Sequence, residues 1–426
     1  MRTNPERVAW VVLLASFLTL CAICIGVVLA LRWFVLESTE GLYVELLVSR
    51  NTVGVSPEGR AEETERASRL LAERTTLTTD STSQAFVTFR DPYTGRVLAS
   101  LTLLRDSAVT IHHASRPRFD ASELPYVIEV VGRRGRADVL ITPDLPRRIQ
   151  FRVFAPYDTT IDLGQRGYFT VVLGGDSAGV TVREGEARIS LGESGPEAVI
   201  NQGQRGFVPG PDPEMPIDIA PARSNLLVNS GFDLYDQTAD GLASLPSSWG
   251  CYNAQDELDE PRGAHRRENF DGRAVLHIAR AGETLNHAET GCRQPLSGLD
   301  LSDYGYLELR AVIYIGHQSI STCGIAGSEC PVMLRLVYDD ENGERREWIH
   351  GFYSLYTIPE WPLTCASCRQ DHERINSGAW YTYESGNLVN VLPEEAKIHT
   401  LVEVRFYASG HAYDVMLDEV ALLAAR

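Results

Sequence analysis

Two groups of residues in the C-terminal part of the chain have the types and spacing for chemistry. The first is aromatic: Trp348, Phe352, Tyr353, Tyr356, Trp361, Trp380, Tyr381 and Tyr383 fall within one stretch. Flat rings stack on the C–H faces of sugars, and polar groups at the rim then fix orientation. Trp361, in the loop IPEWPLT, and Trp380, Tyr381 and Tyr383, in SGAWYTY, are the ligand-binding candidates. The same rings have a competing use as sandwich core, which buries aromatics more often than not. The second group is Cys251, Cys292, Cys323, Cys330, Cys365 and Cys368. An even set confined to one region reads as disulfides in an oxidising compartment, with Cys251–Cys292, Cys323–Cys330 and Cys365–Cys368 as the plausible pairs. The four cysteines from Cys323 to Cys368 could alternatively hold zinc, but six residues separate Cys323 from Cys330, wider than the usual ligand spacing.

Catalytic signatures are weak, and no enzyme is expected. The chain has no His-Glu-x-x-His or phosphate-loop pattern. His112-His113 lies on a strand pattern without an evident carboxylate partner. The acids around His265 form a charged loop, and Ser107 and Ser177 sit in turns.

The elements that position these groups follow from patterning. The 426 residues suffice for two or three domains. A net charge of −18 argues against nucleic-acid binding, which needs basic surface to neutralise phosphate. Val8–Leu31 contains no charged side chain, with Trp10 and Trp33 near its two ends. About 20 apolar residues cross a bilayer as a helix, and interfacial aromatics belong at such ends. Arg2 and Arg7 precede the span, which favours a cytoplasmic N-terminus and an extracytoplasmic body at the plasma membrane. A cleaved signal peptide is the rival reading, but Arg-Trp-Phe-Val-Leu-Glu is a poor cleavage site. Cys21 and Cys24 lie inside the span as small apolar residues.

Beyond the span, short alternating strands separated by turn residues predict an all-β chain. Examples are QAFVTF (Gln84–Phe89), VLASLTLL (Val97–Leu104), YVIEVV (Tyr126–Val131) and YLELRAVIYI (Tyr306–Ile315). The charged stretch Pro57–Arg74 is expected to form a short exposed helix or a linker with a helical stretch. PGPDPEMPIDIAP (Pro209–Pro221) marks a semi-rigid linker and the main domain boundary. The expected organisation is a stub (1–7), a transmembrane helix (8–34), a β-roll or sandwich domain (41–208), a linker (209–222) and a C-terminal jelly-roll β-sandwich (223–426).

The first β region resembles the FecR-like extracytoplasmic domain. The matching elements are TTDSTSQAFVTF (Thr78–Phe89), LLRDSAVTI (Leu103–Ile111), FRVFAPYDTTIDLGQRGYFTVVL (Phe151–Leu173), VTVREGEARI (Val180–Ile189) and NQGQRGFV (Asn201–Val208). Two departures stand out: Gly167-Tyr168 replaces the family's Gly-Thr, and the early Asp-Gly turn is opened to Asp91-Pro92-Tyr93-Thr94-Gly95. Iron-transport regulators of that family carry a cytoplasmic sigma-factor-binding domain, whereas here only seven residues precede the span, so sigma-factor contact is not expected.

The second region is similar to the galactose-binding-like jelly roll of carbohydrate-binding modules. Asn225–Asp233 (NLLVNSGFD), Pro246–Trp249 and Phe406–Leu422 carry the resemblance, which places Trp249 in the core. The resemblance implies a glycan or other envelope ligand. It also implies one structural calcium near the chain ends, for which Asp233 and Asp418 occupy the right regions; two solvated or turn carboxylates are the plainer reading. The rival role is an envelope signalling or assembly component that binds a protein partner.

Overall fold

Alternating sequences give strands with two unlike faces, and the fold depends on what covers each face. The structure, a computed structural model, describes residues 5–174, 177–192, 194–210, 216–237, 244–257, 259–282, 284–393 and 396–426. It is predominantly β, with one long apolar helix, Pro5–Glu37, at the N-terminus. This helix is long and apolar enough to cross a membrane, a property that signal sequences share.

The helix leads directly into the first β module. The strand Thr39–Gly41 pairs with Ala108–Pro117, and the last helical turn is gripped from the side. Ser122 Oγ donates to the Leu36 carbonyl, the Phe119 ring meets Phe34 edge-on at 5.3 Å, and Arg118 lies over the Phe34 ring.

The first module is a closed barrel flattened into two sheets. The outer sheet includes Val53–Ser56, Thr75–Thr78, Ala108–Pro117 and Ile149–Ala155. The inner sheet includes Tyr43–Arg50, Gln84–Arg90, Val97–Leu103, Gly167–Leu173 and Ala178–Glu184. Tyr126–Ile141 belongs to both, bending across with register shifts at Glu129/Val130 and Gly132/Arg134. At Gly132 the Leu173 side chain packs where a Cβ would stand, so a larger residue there would have to displace it. Val87, Phe89, Leu101, Val139, Phe151 and Phe169 fill the barrel.

The second module is a two-sheet sandwich, antiparallel except where Glu373–Arg374 runs parallel to Arg345–Tyr353. One sheet runs Ala264–Phe270, Arg273–Arg280, Tyr413–Ala425, Tyr306–Gln318, Tyr381–Glu384. The other runs Gly250–Gln255, Ala288–Asp300, Ile398–Gly410, Val332–Asp340, Arg345–Tyr353, Glu373–Arg374. Ser224–Asn225 pairs with Tyr413–Ala425, so the module's first strand is joined to its last. Asn225 Oδ1 accepts from the Leu422 and Leu227 amides, and Trp249 packs against Phe232 and Phe406. The opening motif is therefore structural: it closes the ends of the sandwich.

Two sequence expectations need correction. Pro57–Arg74 contains no helix; Glu63–Glu65 and Ser68–Leu70 are short strands on Val53–Ser56 and Tyr43–Arg50. Open sheet edges offered the backbone partners, and tertiary pairing outweighed local propensity. The proline-rich stretch is not wholly a spacer, because Asp218–Pro221 pairs with Gln204–Val208; its residues 211–215 lie outside the described set.

Candidate binding surface

Most of the aromatic stretch is interior. Trp348, Phe352, Tyr381 and Tyr383 belong to the core of the second sandwich, and Tyr353 to a smaller core beside the disulfides. Trp380, 1 % exposed, sits between the modules with Phe86, Val275, Val312 and Met416. Two rings of the stretch reach the surface, Tyr356 at 63 % exposure and Trp361 half-buried. Of the four ring candidates, Trp361 is thus set apart from Trp380, Tyr381 and Tyr383, whose faces are covered. Tyr381 instead donates to Glu373, and Tyr383 accepts from Gln370.

The exposed rings lie on the segment 354–364, which ends at one of two small disulfide loops. Cys323–Cys330 and Cys365–Cys368 are bonded, as is Cys251–Cys292, whose residues lie directly opposite on neighbouring strands. The 41-residue separation of that last pair corresponds to about 4 kcal/mol of loop-closure entropy in the chain-entropy model. Thr322, beside the first loop, ties it to the ring-bearing segment: its Oγ1 donates to the Tyr356 carbonyl and accepts from the Ile358 amide. Ile325, 77 % exposed, projects from the first loop. Non-reducing peptide mapping of the intact chain should recover these three pairs and leave Cys21 and Cys24 free; finding six free thiols among the other cysteines would overturn the pairing.

His372 stands between the small loops. Its ligand nitrogen and the sulfurs of Cys323 and Cys330, and likewise of Cys365 and Cys368, gather within 4.8 Å. Nε2 lies 2.8 Å from the Gly327 carbonyl, and Nδ1 accepts from the Gly351 amide at 2.9 Å. Burial keeps the imidazole below its ordinary pKa, so it is the neutral tautomer bonded at both nitrogens. With the sulfurs paired and both nitrogens engaged, this cluster offers zinc neither a thiolate nor a free imidazole lone pair.

The calcium candidates are differently placed. Asp418 forms an ion pair with Arg273, while Asp233 is exposed. Burial raises the Asp418 pKa despite that guanidinium. Among the described residues, no third acidic or imidazole side chain joins these two carboxylates. With Arg273 already compensating Asp418, the pair does not fit the carboxylate-rich set that calcium prefers.

The largest polar assembly lies between the modules. The outward face of the inner barrel sheet packs on the outward face of the sheet containing Tyr306–Gln318. Arg310, fully buried, donates Nη2 to Asp138 Oδ2 at 2.6 Å, Nη1 to Glu384 Oε1 at 2.7 Å and Nε to Glu419 Oε2 at 3.1 Å. Nη2 also reaches the Tyr168 hydroxyl at 2.9 Å. Arg183 pairs with Glu419 at 2.6 Å and Arg136 with Glu384, so three guanidiniums meet three carboxylates. The first module contributes Arg136, Arg183 and Asp138, and the second Arg310, Glu384 and Glu419. Burial alone would raise the Asp138 carboxyl, but Arg310, Arg183 and Arg136 outweigh it and hold the group well below the usual carboxylate range. Burial pushes Tyr168 up to about 12. Around this network, Gln84 makes two hydrogen bonds with the Thr382 backbone, Ser49 bonds the Trp380 carbonyl, and Arg90 pairs with Asp271.

This interface could have been suspected from charges set within apolar strands, Asp138 in ADVLI and Arg310 in LELRAV. Ile325 carried no comparable signal, and nothing set Tyr356 apart from the other rings of its stretch, because loop exposure depends on how the segments pack in space. His113, read without an acid partner, has Glu73 at 2.8 Å.

No protein-family model matches the chain, and neither does any characterised protein. Solved structures show partial likeness. A candidate anti-sigma factor from Parabacteroides distasonis ATCC 8503 shares 16 % identity at a TM-score of 0.25, over 34 % of this chain and 59 % of that one. A family 11 carbohydrate-binding module from Clostridium thermocellum, in complex with a β-1,3-1,4-mixed-linked tetrasaccharide, shares 12 % identity at a TM-score of 0.25, over 42 % of this chain and 90 % of that one. The family 11 module of the cellulosomal cellulase Lic26A-Cel5E from the same organism shares 13 % identity at a TM-score of 0.25, over 45 % and 95 %. At these scores the likenesses bear on neither ligand nor activity.

Proposed function

We propose that the chain is a single-pass membrane-anchored binding protein. Its N-terminus is cytoplasmic, and its two β modules are held outside as one body. The ligand is a glycan or another cell-envelope component, taken at the disulfide-braced loops of the C-terminal module. One observation carries this reading: Tyr356 is exposed and Trp361 half-buried on a segment flanked by two small disulfide loops, the first of which exposes Ile325, in a chain whose other aromatics of that stretch are interior. Aromatic surface on a preorganised loop loses little entropy on binding, which favours recognition over catalysis. The disulfides are consistent with an oxidising exterior. Continuity of the anchor helix with the first module, through Leu36–Ser122 and Phe34–Phe119, supports the second reading, an assembly component that relays partner binding to the membrane.

The test is a polysaccharide array probed with the intact chain in detergent micelles, since the modules share an interface. Trp361→Ala and Tyr356→Ala should each weaken binding by about tenfold, the loss of one stacked ring at about 1.4 kcal/mol. Absence of binding to every polysaccharide, or binding indifferent to both changes, would defeat the glycan reading and leave the protein-partner one.

A further inference from the structure

The first module has an open cavity of about 730 Å³ at one end of its outer sheet. Its floor is Thr76, Thr78, Thr110, His112 and Val131, and its walls include Arg60 and Arg133. From its walls and floor we infer that this cavity is a binding site for an acidic saccharide, a sugar chain whose units carry carboxylates. It is separate from the loops proposed above and goes beyond that reading.

Two arginines are aimed by local backbone geometry. Arg133 is the extra residue of a bulge: Gly132 pairs with Val109 and Arg134 with Ala108, leaving Arg133 without a strand partner. Bulges re-aim side chains, and this one turns Arg133 to the cavity. Arg60 closes a tight turn in which its amide donates to the Pro57 carbonyl and Ser56 Oγ donates to the Arg60 carbonyl. Gly59, at φ +71°, permits that turn. Neither guanidinium has a carboxylate partner among the described residues, although acids outnumber bases 57 to 39 in the chain. The cavity's own acids are each held by a neighbour in the lining: Glu58 by Arg74 at 3.1 Å, and Glu62 by the Thr78 hydroxyl at 3.0 Å.

The floor selects the ligand class. Thr76 and Thr110 hydroxyls lie 2.8 Å apart and hold each other in place on paired strands, presenting fixed oxygens to a sugar's hydroxyls. Guanidinium forks bind carboxylates with two parallel hydrogen bonds. The cavity lining contains no Phe, Tyr or Trp on which a nucleobase could stack. The volume lies within the range of small-molecule sites, about 300–1,000 Å³.

The test is calorimetric titration of the intact chain in detergent micelles with oligogalacturonate, against a neutral galacto-oligosaccharide of equal length. Oligogalacturonate should bind at least about tenfold more tightly, a 1.4 kcal/mol difference, with affinity falling as salt rises. Arg60→Ala and Arg133→Ala should each cost about tenfold. Both residues are exposed, so their melting temperatures should match the parent. Trp361→Ala should leave this binding intact. Equal affinity for the two oligomers, no binding of oligogalacturonate, unchanged affinity in the double arginine variant, or loss of binding in Trp361→Ala would each overturn the site. The last outcome would instead strengthen the loop reading, so the two proposals fail separately.

Discussion

Arg310→Ala is expected to destabilise the folded chain by about 3–5 kcal/mol, the range for breaking a buried ion pair by removing one partner. The cost comes from what remains. Asp138, Glu384 and Glu419 converge on the same guanidinium, and Asp138 is itself only 2 % exposed in its side chain. Without Arg310, Asp138 would keep the Thr170 hydroxyl but would lose its direct ion pair. Arg310→Lys should recover only part of the loss, because an ammonium cannot reproduce a planar fork that bonds three carboxylates at once. Chemical denaturation of the intact chain in detergent micelles measures both variants. A loss below about 1 kcal/mol for Arg310→Ala, the scale of an exposed pair, would mean that the two modules do not pack this way.

Trp380→Ala should cost a similar amount, about 3–5 kcal/mol for a large buried aromatic. The ring lies 5.4 Å from Tyr314 and 6.2 Å from Phe270, with the Arg273 guanidinium over it at 5.1 Å and Phe86 across the module boundary. Removing it opens a void bounded by both modules and takes away a cation–π partner of Arg273. The same change discriminates between two roles for the residue. As an interface ring, Trp380→Ala lowers the denaturation midpoint. As a sugar platform it would abolish glycan binding while leaving stability untouched, and that outcome would refute its placement. Trp361→Ala should show the reverse pattern, with binding reduced and stability little changed.

Several features were legible in the linear sequence because their causes are local or compositional. The uncharged run Val8–Leu31 identifies a helix by length and hydropathy alone. Alternation along Gln84–Phe89 and Tyr306–Ile315 identifies strands, because side chains must point to opposite faces. The cysteine pairs proposed from spacing match the bonded ones, helped by two pairs being close in sequence. The helix expected in Pro57–Arg74 failed because its charge pattern says nothing about neighbouring open sheet edges, which captured the segment as short strands.

What alternation cannot say is what covers each face. Gln84–Arg90 and Tyr306–Gln318 read as ordinary half-buried strands, yet each is covered on both sides, by its own core and by the other module. That second covering is decided by residues hundreds of positions apart, such as Arg136 with Glu384 and Gln84 with Thr382, for which short-range periodicity has no term. It also divided the aromatic candidates, removing Trp380 from the surface and leaving Trp361 within reach of it. Composition and period along the chain were enough for the helix and the β class, while the cysteine pairing was one of several that the spacing left open until the strands and loops were brought together. Tertiary structure alone decided which aromatic and charged groups face a partner, because burial is a property of the surfaces that meet in space.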